Sequence, residues 1–494
     1  MWPFKKRHRP PQHSRAFAGA RTGRLYDEWR TESQSINHEI LRDGRRLIKR
    51  ARDLAKNHDY TARFLGLAAT NVLGSTGLRL RSRVPSGKAP GQGIDKGAAT
   101  AIETAWAAWS RRCDVTGRNR RADVERLFLL CLLRDGEAML RHRATGPHAY
   151  SVQLIDPLLL DFELNRSKTH GDTEIVMGVE MDDDRMPLAY WFLADVKSPN
   201  EGIVQDSRNY NRVPADEIEH AFIINEVGQA RGYSSLAPVM MRAHHLAAYE
   251  ESVIVNARGS ANTMGFFTRS ESGEGYTGEG ENADGDLQIE SEPGSFHTLP
   301  AGVGLEVYKP EQPQQVYEEF VRSSLRGIAA GFNISYYSLA NDLKEVNFAT
   351  GRIGRNEDME VWKGLQSFLV DYFERPVFEA WLDAQLTRGS LRVNNRPLRI
   401  ADRERYQVAD FVGRRWAGTE PLKEIQAHRE GWELRTRTLS SIIREAGEDP
   451  ETVFREWAEE KAKLEELNIS ISEAADITAP QVADDGDDDD DDKD

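Results

Sequence analysis

Asp156, Asp161 and Glu180 are the residues of this chain that could hold a divalent cation and cut a phosphodiester. Metal-assisted hydrolysis needs acids that converge from separate strands. Nothing in the spacing of these three forces that convergence. The run Asp182-Asp183-Asp184 reads instead as a solvated turn, because consecutive acids point different ways and Arg185 and Pro187 follow. His244 and His245 lie in an Ala-rich helical run without a second His or Cys at i+3 or i+4, so they read as packed or inter-subunit histidines. Gly273-Glu-Gly275-Tyr-Thr-Gly278 has the dinucleotide spacing, but Glu279, Glu281, Asp284 and Asp286 follow where a pyrophosphate would need a helix N-terminus. It reads as an acidic loop. The sequence holds no G-x-x-x-x-G-K-[ST], H-E-x-x-H, C-x-x-C or G-x-S-x-G, and no Ser/His/Asp or Ser/Lys signature of a maturation protease stands out. A cofactor or metal site is therefore not expected.

The elements around these residues read as α+β. Apolar residues recur at helical spacing over Arg24–Asn57 and Asp59–Val72, and Leu78–Val84 alternates as a strand. A helix carries Ile102, Trp106 and Trp109, and Asp123–Leu133 is a strongly apolar one. Strand patterns follow at Glu137–His142, Tyr150–Ile155, Ile175–Met181, Leu188–Leu193 and Ala221–Ile224, which predicts a small β-rich module. Pro238–Gly259 predicts a helix of about 33 Å. Leu305–Tyr308 reads as a strand, Val316–Phe332 and Trp362–Leu386 as helices, and Pro421–Leu467 as a charged helical bundle.

Charge is partitioned. The formal net charge is −15 over 494 residues, with 29% charged and 39% hydrophobic residues. Asp484–Asp494 holds nine Asp and one Lys, and Glu271–Glu292 holds eight acids and no base. Without these two runs the remainder carries +1. The first 25 residues carry seven Lys/Arg and no acid. That arm reads as a nucleic-acid contact, a docking segment for a protein, or a solubilising stretch. The longest apolar run, Leu127–Leu133, lies far below the about 20 residues of a membrane helix, and no signal-peptide core of about 7–15 apolar residues follows the basic start. Two cysteines, Cys113 and Cys131, exclude a disulfide scaffold and fit a reducing compartment.

Several stretches in order resemble the lambda-like portal proteins of tailed bacteriophages. They run from Ala51–Tyr60 and Asn71-Val-Leu-Gly-Ser-Thr-Gly-Leu78 to Cys113-Asp-Val-Thr-Gly117, Arg134-Asp-Gly-Glu137 and Leu154-Ile-Asp-Pro157. Val213–His220, Gly228-Gln-Ala-Arg-Gly-Tyr-Ser-Ser-Leu-Ala-Pro238, Phe332–Leu339 and Val346–Gly351 follow. Trp416–Lys423, Gly431 and Gly447–Pro450 complete the series, which covers roughly 25–470.

The resemblance implies a multi-part subunit of wing, stem, clip and crown, assembling into a ring that is usually a dodecamer at one capsid vertex. It implies a channel for double-stranded DNA, bound weakly and non-specifically, in packaging and ejection. The implied partners are the terminase large subunit, the major capsid or scaffold protein and a head-tail connector protein, with no membrane. The implied location is the virion, and the host cytoplasm during assembly. By position, 1–24 is the arm, 25–160 and 263–400 the wing, and 161–226 a clip-like module. The stem region is 227–262, the crown-like helices 401–470 and the acidic tail 471–494. A sliding polyanion must not be gripped, so Asp487, Asp488, Asp489, Asp490, Asp491 and Asp492 are expected to form an acidic collar at the channel mouth. The run 271–294, with Glu279, Glu281, Asp284 and Asp286, is expected to face the channel or to be a wing insertion; Asn341–Arg355, with Lys344, Arg352 and Arg355, is the alternative lining. The competing expectation is a packaging-associated nuclease on the acidic residues named first.

Overall fold

The computed structural model describes residues 24, 34–87, 94–167, 173–193, 209–261, 265–269, 303–307, 314–344, 348–414, 416, 421–446 and 450–467. The basic arm but for Arg24, the run 271–294 and the acidic residues beyond 467 lie outside them.

The chain opens with α1 (Ile36–Asn57) and α2 (Asp59–Val72), then β1 (Arg79–Ser82), α3 (Lys96–Trp109) and α4 (Arg121–Asp135). Ile40, Gly44, Ile48 and Ala51 form the buried stripe of α1, the spacing of an amphipathic helix. Two antiparallel sheets follow. β2 (Glu137–Arg143) lies between β3 (Ser151–Ile155) and β8 (Ile218–Phe222). β4 (Glu174–Val176), β5 (Val179–Met181), β6 (Pro187–Leu193) and β7 (Tyr210–Pro214) form a four-stranded meander. The predicted single run Ile175–Met181 is two strands, because Met177 and Gly178 both take positive φ and turn the chain. β7 carries too few apolar residues to announce itself, and the run read from Ala221 starts at Ile218, paired to Arg141.

The helix α5 (Met240–Ala261) leads to β9 (Gly265–Arg269), which pairs with β10 (Val303–Val307), and α6 (Gln314–Gly331) returns. After α7 (Tyr336–Ala340), α8 (Phe348–Leu369) passes through a π turn at Val370–Glu374 into α9 (Arg375–Arg388). The helix read from Trp362 thus begins earlier and is interrupted. Pro376 has no N–H for the Tyr372 carbonyl, and the π turn absorbs that missing bond. The hairpin β11 (Arg392–Val393)–β12 (Arg396–Pro397) and the short α10 (Arg403–Tyr406) precede β13 (Ala409–Val412), which pairs with distant β1. The helices α11 (Pro421–Glu433), α12 (Leu439–Glu445) and α13 (Pro450–Glu466) end the described chain.

Two cores share β2. Ala138 and Leu140 face the larger one, which holds Trp106, Trp109, Phe128, Phe373, Phe378 and Trp381. Met139 faces the smaller one, with Ile40, Ile48, Phe162, Tyr190 and Phe192. Successive strand residues point to opposite faces, so a strand buried on both sides joins α-rich body and β-module without a linker. No described helix is long and apolar enough to cross a membrane.

Candidate functional site

The stretch Arg134-Asp-Gly-Glu137 closes α4 and opens β2. Gly136 caps the helix in the left-handed region at φ 94°, and its N–H reaches the Cys131 carbonyl at 3.2 Å. A Cβ there would lie 2.1 Å from the Tyr233 carbonyl carbon, and one on Gly232 would lie 2.0 Å from the Gly136 oxygen. Two backbones therefore touch where only glycine fits. That contact brings the 134–137 stretch against Gly228-Gln-Ala-Arg-Gly-Tyr-Ser-Ser235, although about a hundred residues separate them.

Around the contact lies a buried polar knot. The fully enclosed Arg231 guanidinium pairs with the equally enclosed Glu137 carboxylate. It also donates to the carbonyls of Leu160 at 2.8 Å, Pro157 at 3.0 Å and Met177 at 3.2 Å. Its central carbon lies 3.7 Å from the centroid of the Phe162 ring. His220 Nε2 is 2.9 Å from Glu137 Oε2. Burial pushes the Glu137 carboxyl up, but Arg231 and then His220 overcome it and hold the group at about 2. A second arginine, Arg52 of α1, forks onto Asp135 at 2.9 and 3.0 Å and onto Asp156 at 2.6 and 3.0 Å. The 134–137, 154–157 and 228–238 stretches thus meet at one place, tying α1, α4, β2, the β-module and the approach to α5. Every charge there is matched, as burial requires.

Each of the first metal candidates has a protein partner. Asp156 is paired with Arg52, Asp161 accepts from the Tyr210 hydroxyl at 2.8 Å, and Glu180 is paired with Arg212 at 2.8 Å and with the Trp191 indole at 2.9 Å. Among the described residues no group of three His, Cys, Asp or Glu is placed to hold an ion. Asp182–Arg185 is the turn between β5 and β6, with Asp182 accepting from the backbone of Asp184 and Met186. His244 and His245 are exposed on α5, so they are not packed within the subunit, and the inter-subunit alternative stands. Burial pushes the Cys113 thiol up to about 12 and the Cys131 thiol up to about 11, so neither is a poised nucleophile.

A second buried centre is less balanced. Arg121 stands between Glu125 and Glu374, both fully buried, with Glu374 Oε1 at 2.6 Å. Glu125 also accepts from Leu78 N at 3.1 Å, and a Cβ on Gly77 would lie 2.2 Å from its Oε2. Two carboxylates face one guanidinium, and burial raises the Glu374 carboxyl above its ordinary value against the pull of Arg121.

The channel candidates are only partly placed. Lys344 is exposed, 3.8 Å from Glu318 of α6. Arg352 and Arg355 are exposed in the first turns of α8, so this part of the proposed lining is helix. Glu279, Glu281, Asp284, Asp286 and Asp487–Asp492 lie outside the described residues. The sequence reading assigned no role to Arg231, Glu137, Arg52 or Asp135; the close glycine pair was the available signal.

One further feature is geometric. Tyr249 of α5 stacks on Tyr317 of α6 at 6.0 Å and meets Phe320 at 4.6 Å. Ala243 and Leu246 near the start of α5 are buried, as are Leu325, Ile328 and Ala329 near the end of α6. Towards the other end Ile254, Val255 and Phe320 are exposed. The two helices leave the body together, half covered.

Comparison with known proteins bears on this arrangement. Residues 22–366 match the family model described as phage portal protein, lambda family. A probable portal protein of Halomonas phage phiHAP-1 is 30% identical over 477 residues, covering 94% of this chain and 90% of that protein. Portal protein B of Escherichia phage lambda is 23% identical over 485 residues, covering 90% and 88%. Among solved structures, the neck of an empty GTA particle computed with C6 symmetry covers 83% of this chain and 94% of its own, at 12% identity and a TM-score of 0.46.

Proposed function

This chain belongs to the lambda family of phage portal proteins, and from that premise we propose that twelve copies close into a ring whose bore carries double-stranded DNA into and out of the capsid. In this reading the terminase large subunit, a capsid or scaffold protein and a head-tail connector protein dock on the ring, which assembles in the host cytoplasm and is kept at one vertex of the virion. The ring does no covalent chemistry. The observation that carries the reading is apolar surface left exposed among the described residues. Ile254 and Val255 of α5, Phe320 of α6, and Ile425, Trp432 and Trp457 of α11 and α13 are exposed, from 47% to 68%. In a ring such surface is covered by a different face of the neighbouring copy, since the contacts run front to back.

The helix α5 serves as the stem helix in this proposal, with α6 beside it from the wing, and α11–α13 form the crown. The four-stranded meander β4–β7 is the clip-like module, held rigidly to the wing by the Arg231–Glu137 knot, so that torque on one is felt by the other. A bore that lets DNA slide cannot offer a closed row of cations, because each phosphate neutralised adds a salt-sensitive binding term and twelve-fold repetition multiplies it. The acidic run 271–292, which connects β9 to β10, and the collar Asp487–Asp492 supply repulsion that centres the duplex. Lys344, Arg352 and Arg355 offer sparse counter-contacts.

Negative-stain imaging of the purified protein tests the ring. An annulus with an open centre is expected; a population of single subunits at high concentration would refute it. Deleting 484–494 tests the collar, and unchanged packaging and DNA retention would remove it.

A further inference from the structure

A groove of about 460 Å³ runs between the β1–β13 ribbon and the junction of α8 with α9. Arg81 lines it from β1, Arg83 from just beyond β1, Arg375 from the first position of α9, Arg414 from just beyond β13, and Arg444 from α12. Against these five arginines the lining offers one carboxylate, Asp410, already 3.0 Å from Arg83 Nε. Arg414 is braced from behind, donating to the Thr70 carbonyl at 2.9 Å and Asn71 Oδ1 at 3.0 Å. Arg375 and Arg444 are exposed. The guanidinium is a planar fork that matches a carboxylate with two parallel hydrogen bonds. This concentration of forks around one concavity is chemistry for a polyanion carrying carboxylates.

We propose that the groove is the docking site of the chain's own acidic segment, Asp484–Asp494. Two observations select this occupant. The first is reach. The helix α12 supplies Arg444 and packs on α13, which ends at Glu466, and seventeen residues separate Glu466 from Asp484. Extended, that stretch spans up to about 55–60 Å. The second is charge. Nine Asp and one Lys meet Arg375, Arg414 and Arg444, since Arg83 is already paired with Asp410 and Arg81 has an interaction of its own, so docking neutralises less than half of the segment. The rest of its charge stays in solvent at a fixed place on the subunit. A duplex is the less fitting occupant, because five arginines repeated in every copy would hold phosphate firmly. The choice of the acidic segment over a duplex, and the anchored collar that follows from docking, rest on the portal reading.

A photo-crosslinking residue placed at Asp489 of the full-length chain tests the proposal. Crosslinks are expected on residues 409–414 and 439–445, and they should fall about tenfold in 1 M salt, where screening length drops to about 3 Å. They should also fall in the double variant Arg375→Glu/Arg444→Glu, whose positions are exposed and leave the core intact. Crosslinks elsewhere, or equal yield in the double variant, would overturn it. As a second measurement, a labelled peptide of residues 484–494 is titrated into full-length protein whose Asp487–Asp492 are changed to Asn. Binding should weaken at least about tenfold in the double variant, as expected for lost charge-assisted bonds. A short DNA duplex that occupies these arginines more tightly than the peptide makes the groove a nucleic-acid site, and the proposal falls. Failure here leaves the ring intact, whereas docking together with normal packaging after deletion of the segment removes the collar alone.

Discussion

Trp381 and Trp432 are the same side chain in opposite situations. Trp381 of α9 is fully enclosed, 5.0 Å from Trp106 and 6.3 Å from Trp109 between ring centroids. Trp432 of α11 is 55% exposed and Trp457 of α13 is 68% exposed. The difference separates two kinds of helix in one chain. In α3, α4 and α9 the apolar stripes close on one another, so the body holds itself together. In α11–α13, and on the outer half of the α5–α6 pair, apolar side chains face outward. Composition cannot tell these apart, since helices of both sets carry tryptophan among charged residues. The distinction appears only when each stripe is asked what covers it, and for the second set the subunit gives no answer by itself.

The sharpest way to break this contrast is to damage the self-sufficient region. Trp381→Ala should cost about 3–5 kcal/mol by opening a cavity among three aromatic rings. Arg231→Ala should cost a similar amount, about 3–5 kcal/mol, because it strands the buried Glu137 carboxylate. Both should lower the melting temperature of the subunit before any assembly is measured, and calorimetry on dilute protein reads it. A melting temperature unmoved by either would mean the knot and the aromatic cluster are not what holds the body.

Acid titration sharpens the same contrast by a somewhat smaller amount. The folded Glu137 carboxyl sits at about 2, below its ordinary 4.5. A depressed carboxyl contributes stability that is complete above its unfolded value and is lost as pH falls from about 4.5 towards 2. The contribution is on the order of 3 kcal/mol. Glu374 has the opposite sign: its raised value favours the protonated form, so it opposes folding as pH rises through the ordinary carboxyl range. Glu137→Gln should therefore flatten the acid limb of stability against pH, and Glu374→Gln should steepen it. Denaturant midpoints between pH 2 and 7 decide, and equal limbs in both variants would disprove the assignment of the two centres.

Much of the body was legible before any coordinates. Asp59–Val72 is a helix with the bounds the pattern predicts, and Trp106 and Trp109 face the core as their spacing implies. Local periodicity carries that information. What escaped was long-range. Arg231 meets Glu137, and the groove draws arginines from positions between 81 and 444; no spacing rule reaches that far. The π turn escaped because Pro376 alone does not say whether a helix ends or accommodates it. Of the channel residues only Lys344, Arg352 and Arg355 fall among the described positions, where they are exposed on and just before α8.

The smallest effect on the subunit is the most telling for the ring. Trp432→Ala and Trp457→Ala remove side chains that touch little, so each should change subunit stability by no more than about 0.5 kcal/mol, the usual range for surface positions. If neighbouring copies cover these rings, the same changes act on assembly, where a buried tryptophan is the kind of residue that carries binding energy, about 2 kcal/mol or more. Analytical ultracentrifugation of the wild type and the double variant reads the shift from ring to smaller species, while calorimetry reads the unchanged subunit. A variant that assembles as well as the wild type would show that α11–α13 face solvent in the ring, and would leave α5 and α6, with Ile254, Val255 and Phe320, as the surface that closes it.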